Sequence, residues 1–228
     1  MRRVSLAALV AVIVLAAIPA VGAPNLYGTS GLIEVPDDII YPVGAFSLAY
    51  HVIVEPGDSD DNLNFFTIGT GLLPNLDISG GVKTNGDTDA VINAKYRLAA
   101  ETIERPSITI GVVDAAGELS PNDDPGIYIE FGKNLTAAAE EVAGGESKPL
   151  HGYLGFGTGV MKGVFIGLNW TLAPKLSATV EYLSKGLKDD PHFNVGIRLA
   201  LTNELRLDAG LFDMDDFTGG ISYNLARF

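Results

Sequence analysis

The side chains in this chain that are best suited to acid–base chemistry are three histidines, His51, His151 and His192. Imidazole ionises nearest to neutral pH and is the group that enzymes use most often as a general acid or base. His51 shares the polar side of its segment with Ser47, but no nearby acid would orient it. His192 follows Asp189 and Asp190 in a predicted outward loop. A lipid hydrolase or protease that uses His51 or His192 is therefore one alternative for the function.

Motifs for other kinds of site are missing from the sequence. No serine lies in a nucleophile-elbow pattern, and there is neither a phosphate-binding loop nor a zinc-ligand spacing. The predicted outward loops are rich in acids, and clustered carboxylates can take Ca²⁺ or Mg²⁺. No stretch has the spacing of a dedicated calcium loop, and solvated turns explain these acids better. We expect a protein that is not an enzyme, with no catalytic residue, no cofactor and no metal site.

A second set of candidates consists of charged residues on the polar sides of the predicted strands. They include both signs, so they could pair across neighbouring strands and fill a narrow lumen with hydrogen bonds. The charged residues expected to face the lumen are Lys95, Arg97, Glu130, Glu181, Arg198, Glu204, Arg206 and Asp208.

The elements that must position these residues are β-strands, because apolar and polar residues alternate along the chain, most regularly from Gly163 onward. A period of two places one kind of residue on each face of a strand. Most predicted strands have the roughly 9–11 residues that a tilted strand needs to cross a bilayer. Bacterial barrels have even strand numbers, which twelve satisfies, as would ten or fourteen. We predict strands near 43–54, 62–72, 76–83, 90–98, 106–113, 126–133, 150–160, 163–172, 175–184, 192–201, 203–212 and 216–227.

The polar faces of these strands indicate which way the apolar faces point. In the predicted strands at 150–160 and 163–172 the polar face has neither Lys nor Glu, and it consists of His151, Tyr153, Gly155, Gly157, Gly159, Phe165, Gly167, Asn169 and Thr171. A water-facing exterior is rich in charged residues, whereas small residues fit a narrow lumen. The expected fold class is therefore all-β, a transmembrane up-and-down antiparallel β-barrel. A soluble periplasmic β-barrel that binds an apolar ligand is the alternative.

The front of the chain predicts export. Arg2 and Arg3 precede an apolar run from Leu6 to Ile18, and Val21-Gly22-Ala23 fits a small-residue cleavage site. The run is shorter than the roughly 18–20 residues of a spanning helix. We therefore expect a signal peptide at 1–23, an extended Gly- and Pro-containing segment at 24–42 in the lumen or at its periplasmic mouth, and the barrel at 43–228.

Composition narrows the set of partners. The formal net charge of −13 disfavours binding to nucleic acid. The chain has no cysteine, so neither a disulfide nor a lipid-attachment cysteine is expected. The final residue, Phe228, resembles the signal that outer-membrane barrels present to the barrel assembly machinery, although the apolar set before it is one residue out of phase unless a bulge lies near Ala226. The other expected partners are outer-membrane lipid and glycolipid.

One family resemblance rests on two stretches near the front. Residues 25–36 read Asn-Leu-Tyr-Gly-Thr-Ser-Gly-Leu-Ile-Glu-Val-Pro, and residues 41–48 read Tyr-Pro-Val-Gly-Ala-Phe-Ser-Leu. This opening resembles that of the YjbH-like outer-membrane β-barrel family, which is associated with exopolysaccharide. Residues 193–198 and 207–213 also resemble late strands of these barrels. The resemblance implies polysaccharide as a further partner.

Together these patterns predict a small barrel in the bacterial outer membrane that acts as a structural protein or a narrow pore. The resemblance adds an expected link to exopolysaccharide export or envelope integrity. The hydrolase or protease and the soluble ligand-binding barrel remain the alternatives.

Overall fold

The computed structural model describes residues 22–54, 62–85, 87–120, 122–139 and 148–225. Most of the predicted signal peptide, the bulge predicted near Ala226 and the terminal Phe228 lie outside the described residues. None of the helices in the described ranges is long and apolar enough to cross a membrane.

The described part of the chain forms twelve strands, which confirms the predicted number. Their bounds are β1 Phe46–Val54, β2 Leu63–Leu73, β3 Leu76–Asn85, β4 Asp87–Ala99, β5 Ser107–Val113, β6 Gly126–Asn134, β7 Leu150–Gly157, β8 Gly163–Ala173, β9 Leu176–Leu183, β10 His192–Ala200, β11 Leu205–Phe212 and β12 Asp216–Leu225.

The strands form one closed antiparallel barrel. Each strand pairs with its neighbours in the chain, and β1 also pairs with β12, from Phe46 opposite Leu225 to Val54 opposite Phe217. Closure leaves no strand edge with unpaired backbone groups, which is the condition for a sheet to cross a bilayer. The start of β1 and the end of β12 lie at the same end of the barrel. We call this the periplasmic end, as in bacterial barrels, and the opposite one the outer end.

The exterior of the barrel is apolar, as the alternation predicted. Large hydrophobic side chains are exposed on strands all around it, for example Phe66 at 51%, Leu168 at 38% and Ile197 at 52%. A protein dissolved in water would not expose a continuous apolar surface of this extent. The soluble-barrel alternative is therefore wrong, and the molecule is an outer-membrane β-barrel whose apolar surface faces lipid.

The interior departs from simple alternation at the outer end, where an apolar layer lies inside the barrel. We define the inner apolar layer as the inward side chains of Ile53, Phe65, Val91, Val113, Phe165, Leu183 and Phe212. Leu119, Val160 and Met161, from the connections at the outer end, pack against it. The lumen is therefore polar towards the periplasmic end and apolar at its outer end.

One glycine in the wall makes room for this layer. Gly155 faces the lumen on β7, directly opposite Phe165 on β8. A β-carbon at Gly155 would lie 2.0 Å from the Phe165 ring, which is far inside van der Waals contact. The ring can therefore lie flat against the wall only because residue 155 has no side chain.

Candidate functional site: the occupied lumen

Residues 24–42, which we call the plug, lie inside the barrel. The plug folds back on itself through two antiparallel bridges, Pro24 with Ser30 and Gly31 with Pro36. Both of its ends lie near the periplasmic end, since the carbonyl of Gly22 accepts a hydrogen bond from Asn224 and Val43 pairs with Gly71. The plug therefore enters and leaves through the same mouth, with its middle near the outer end.

The first anchor of the plug is the turn at its tip, residues 32–35, which binds a carboxyl group of the wall. Glu181 on β9 is fully buried and accepts three successive main-chain N–H groups. These come from Ile33 at 2.7 Å, Glu34 at 3.0 Å and Val35 at 3.1 Å. Successive N–H groups that converge in this way form a small anion-binding concavity. The turn is thus held by hydrogen bonds to a buried carboxyl group of the wall.

The carboxylate of Glu34, in the same turn, is surrounded by donors. Its Oε2 lies 2.6 Å from Nε2 of His192 and 3.0 Å from the donor Nδ2 of Asn194. Its Oε1 accepts from the hydroxyl of Tyr27 at 2.5 Å and from the main-chain N–H of Leu187 at 2.8 Å. Burial alone would raise the pKa of Glu34, but the hydrogen bond and charge of His192, together with the hydrogen bonds from Tyr27 and Leu187, outweigh the effect of burial. The pKa of Glu34 therefore lies below its ordinary value.

This lowered pKa predicts that docking of the plug weakens in acid. The contribution of Glu34 is fully present above its ordinary pKa of 4.5 and is lost as the pH falls through the lower pKa of the docked state. We expect amide hydrogen exchange at residues 32–35, corrected for intrinsic rates, to accelerate below about pH 4.5. A Glu34→Gln variant should lack this acid step. Identical pH profiles for the two proteins would contradict the assignment to Glu34.

A second anchor lies nearer the periplasmic end, around the buried ammonium of Lys95 on β4. Nζ donates to the carbonyls of Ser30 and Asp37, both at 3.1 Å, and to the Ser30 hydroxyl. Its carboxylate neighbours are Asp37 at 3.4 Å and Asp77 at 3.9 Å, and Asp77 also accepts the N–H of Tyr41. Burial raises the pKa of Asp37 although Lys95 opposes this. The pKa of Asp37 is therefore shifted in the opposite direction to that of Glu34. For this reason the pH experiment compares the wild-type protein with the Glu34→Gln variant.

Arg198 on β10 forms the third anchor. Its guanidinium donates to three plug carbonyls, Gly31 at 2.9 Å, Leu32 at 3.1 Å and Pro24 at 3.3 Å. Nε donates to the carboxylate of Asp208 on β11 at 2.5 Å. The ion pair with Asp208 fixes the plane of the guanidinium, so that its remaining N–H groups face the plug.

Apolar contacts hold the part of the plug that lies nearest the outer end. Leu26, Tyr27, Leu32 and Val35 belong to the same buried cluster as the inner apolar layer. The Tyr27 ring meets the Phe65 ring edge to face, with centroids 6.4 Å apart. Between the plug and strands β9 to β12 a cavity of about 30 Å³ remains, room for about two waters at ~10–15 Å³ each.

The charged residues expected to face the lumen lie in different places in the structure. Four of them, Lys95, Glu181, Arg198 and Asp208, lie in the three anchors described above. Glu130 is also fully buried inside the barrel, without a hydrogen bond to any described residue. Arg206 is half-buried on β11. Arg97 and Glu204 lie at the periplasmic rim, where they contact residues of the turns.

Two histidines have acidic partners that the sequence did not show. His192 begins β10, at the start of the strand predicted at 192–201, and its ring is buried against Glu34. His51 does have an acid nearby, because its Nε2 lies 3.6 Å from a carboxylate oxygen of Asp208. Closure of the barrel brings His51 and Asp208 together, since each of them is opposite Gly220 of β12.

The arrangement around these histidines is suited to holding the plug. The ring nitrogens of His192 contact Glu34 and the carbonyl of Asp190, and in the described ranges no serine or threonine hydroxyl hydrogen-bonds to a histidine ring. Among the described residues no group of three or more His, Cys, Asp or Glu could hold a metal ion. The chemistry that the site displays is recognition of a peptide segment by hydrogen bonds and charge.

Sequence reasoning missed the plug side of this site. Glu34 and Asp37 are the two plug acids that the wall binds, and Asp77 and Asn194 are wall residues that complete the anchors. A signal was available for Glu34, because it is a single acid in an apolar stretch bounded by Gly31 and Pro36. An acid in such a turn requires a buried partner.

Known structures share this fold. The KdgM porin superposes with a TM-score of 0.52 at 12% sequence identity, over 80% of this chain and 99% of the porin chain. The NanC porin gives a TM-score of 0.50 at 9% identity, over 79% of this chain and 100% of the porin chain. No protein-family model and no curated protein matches the sequence. At these identities the likeness concerns the fold, the closed barrel of outer-membrane porins.

Proposed function

We propose that this protein is a narrow outer-membrane channel, not an enzyme, and that its own plug closes it. The observation that carries the proposal is the nature of the wall behind the plug. Beside the charged anchors, many of the buried inward side chains there are short and polar: Ser47, Thr67, Ser79, Asn93, Thr109, Thr179, Thr218, Ser222 and Asn224. Such a wall can be wetted when the plug leaves, whereas an apolar wall cannot.

The charged anchors support reversible closure. Replacing buried ion pairs by well-packed apolar residues often stabilises a protein or leaves its stability unchanged, so buried charge is a poor way to build a permanent filling. The wall charges at Lys95, Glu181 and Arg198 would regain hydration in an open lumen. A barrel that served only as a rigid support would have no need for a wall of this kind.

Withdrawal of the plug would also open the inner apolar layer. The plug residues Leu26, Tyr27, Leu32 and Val35 are part of the same packed cluster. Removing these plug side chains would widen an apolar constriction that excludes water while the plug is in place. The resemblance to YjbH-like barrels supports exopolysaccharide export or envelope maintenance as the setting of this channel.

Conductance across planar bilayers tests the proposal. In a full-length variant, residues 24–38 are replaced by a Gly-Ser sequence of equal length, which removes the anchors and the apolar contacts together. We expect the wild-type protein to be closed most of the time and the variant to conduct steadily. The mean conductance of the variant should be at least about tenfold higher, since every 1.4 kcal/mol of lost docking energy changes the population of the open state tenfold.

A heat-dependent shift in gel migration confirms that the variant has formed its barrel. The matched control replaces residues 101–105, a turn at the periplasmic end, by Gly and Ser. A correctly folded plug variant that stays as silent as the wild type would overturn the channel and leave a purely structural role.

A further inference from the structure

The wall of the lumen contacts the plug mainly through the plug's main chain. Glu181 accepts the N–H groups of residues 33–35, and Arg198 donates to the carbonyls of residues 24, 31 and 32. Asn93 donates to the carbonyl of Tyr27 at 2.7 Å. Lys95 donates to the carbonyls of Ser30 and Asp37. These contacts depend on the path of the peptide rather than on its side chains.

Recognition of plug side chains by charge is confined to two acids. Glu34 is bound at its carboxylate by His192, Asn194 and the N–H of Leu187. Asp37 is bound by Lys95, which lies 3.4 Å from its carboxylate. Of the two, Glu34 has more hydrogen-bond partners from the wall and the loop, and it is the more deeply buried, at 0% exposure against 5%. The neighbouring acid Asp38 makes no hydrogen bond to the described part of the chain.

We propose that the lumen wall is a peptide-recognition site for a turn-forming segment that carries an acidic side chain in its turn, and that it binds the plug sequence when this is supplied as a separate molecule. The inference rests on the proposed function and names the kind of partner that closes the channel. The covalent connection to β1 then serves to raise the local concentration of the plug. Any peptide that presents three successive N–H groups next to a carboxylate would compete for the same wall.

The test uses a full-length channel whose own plug is loosened by Glu34→Ala. A synthetic peptide of residues 22–42 with the natural sequence, labelled with a fluorophore, is added from the periplasmic side. We expect saturable binding, measured by fluorescence anisotropy, and a fall in conductance over the same concentration range. A peptide carrying Glu34→Gln should bind at least about tenfold more weakly, because it loses charged hydrogen bonds of roughly 1.5–3 kcal/mol each. A peptide carrying Asp38→Asn should bind as well as the natural one.

Variants of the wall give the matched control. Glu181→Gln weakens the acceptor of three N–H groups and should reduce peptide affinity by at least about tenfold. Glu204→Gln makes the same chemical change at the periplasmic rim, away from the plug, and should leave the affinity unchanged. Both variants are made in the full-length Glu34→Ala channel.

The outcomes separate the inference from the function. No saturable binding, or equal binding of the natural and Glu34→Gln peptides, would overturn the peptide site even if the loosened channel conducts. Binding with the expected specificity to a channel that never conducts would support the peptide site and overturn the proposed channel.

Discussion

Replacing Glu34 with alanine is expected to release the plug and to lower the free energy of unfolding by about 3 kcal/mol, within the range measured when one partner of a buried ion pair is removed. The substitution leaves His192 buried at the outer end without its carboxylate, and Asn194 keeps only Glu181 as the acceptor for its Nδ2 group. It also removes the acceptor of the Tyr27 hydroxyl and of the Leu187 N–H. The midpoint of urea unfolding in lipid vesicles and the conductance across bilayers are the measurements.

The control for this prediction is Asp38→Ala, which removes an acid four residues away that makes no hydrogen bond to the described residues. Its effect should be clearly smaller than that of Glu34→Ala, because the substitution removes no hydrogen bond between described residues. The double variant Glu34→Ala/His192→Ala should cost less than the sum of the single variants, because the two groups share one interaction. Additive effects would show that Glu34 and His192 do not act as a pair.

Replacing Leu168 with arginine is expected to destabilise the barrel by about 2–4 kcal/mol, the cost of a basic residue on the lipid face at the bilayer midplane. Leu168 lies in the middle of β8, and its side chain is 38% exposed on the outside of the barrel. In a membrane that exposed surface meets hydrocarbon, which cannot solvate a guanidinium. Unfolding by urea in lipid vesicles measures the effect.

The same change at the membrane boundary serves as its control. Leu73 is 54% exposed at the periplasmic end of β2, next to a turn. Leu73→Arg should cost about 0–1 kcal/mol, since basic residues near the interface reach water and headgroups. If Leu168→Arg and Leu73→Arg were equally mild, the exterior would not face lipid.

The strands were predictable from sequence because a single physical cause sets their pattern. Each strand separates lipid from lumen, so apolar and polar residues alternate, and the predicted bounds agree with the structure to within about three residues. The direction of the apolar face also followed, because the polar face lacks the charges of a water-facing surface. This reasoning works wherever each face of a strand meets one environment.

Alternation could not describe the outer end, where both faces of the strands are apolar. Adjacent apolar pairs such as Phe65-Phe66 and Leu211-Phe212 each place one residue towards lipid and one in the inner apolar layer. In the sequence these pairs look like lapses in the period of two. These pairs mark the strands whose inward side chains form the inner apolar layer, which the plug residues complete.

The plug contacts could not be predicted, because they join residues far apart in the chain. Glu181 meets the turn at residues 33–35 across 146 to 148 positions. Nothing in a strand pattern shows which inward charge will meet a segment that precedes the barrel. The sequence indicated where Glu181, Arg198 and Lys95 lie on their strands, whereas their partners required the closed barrel.

Closure between β1 and β12 has a consequence for how the molecule assembles. Every other strand pairing is a hairpin between chain neighbours. The pairing of β1 with β12 instead joins the first strand to the last, with Phe46 opposite Leu225. Bringing such distant residues together carries the largest loop-closure cost in the sheet, which slows folding. The plug is connected directly to β1 and is bonded to β4, β9 and β10. Because these contacts join strands that lie far apart around the sheet, we expect docking of the plug to favour pairing of β1 with β12 during assembly.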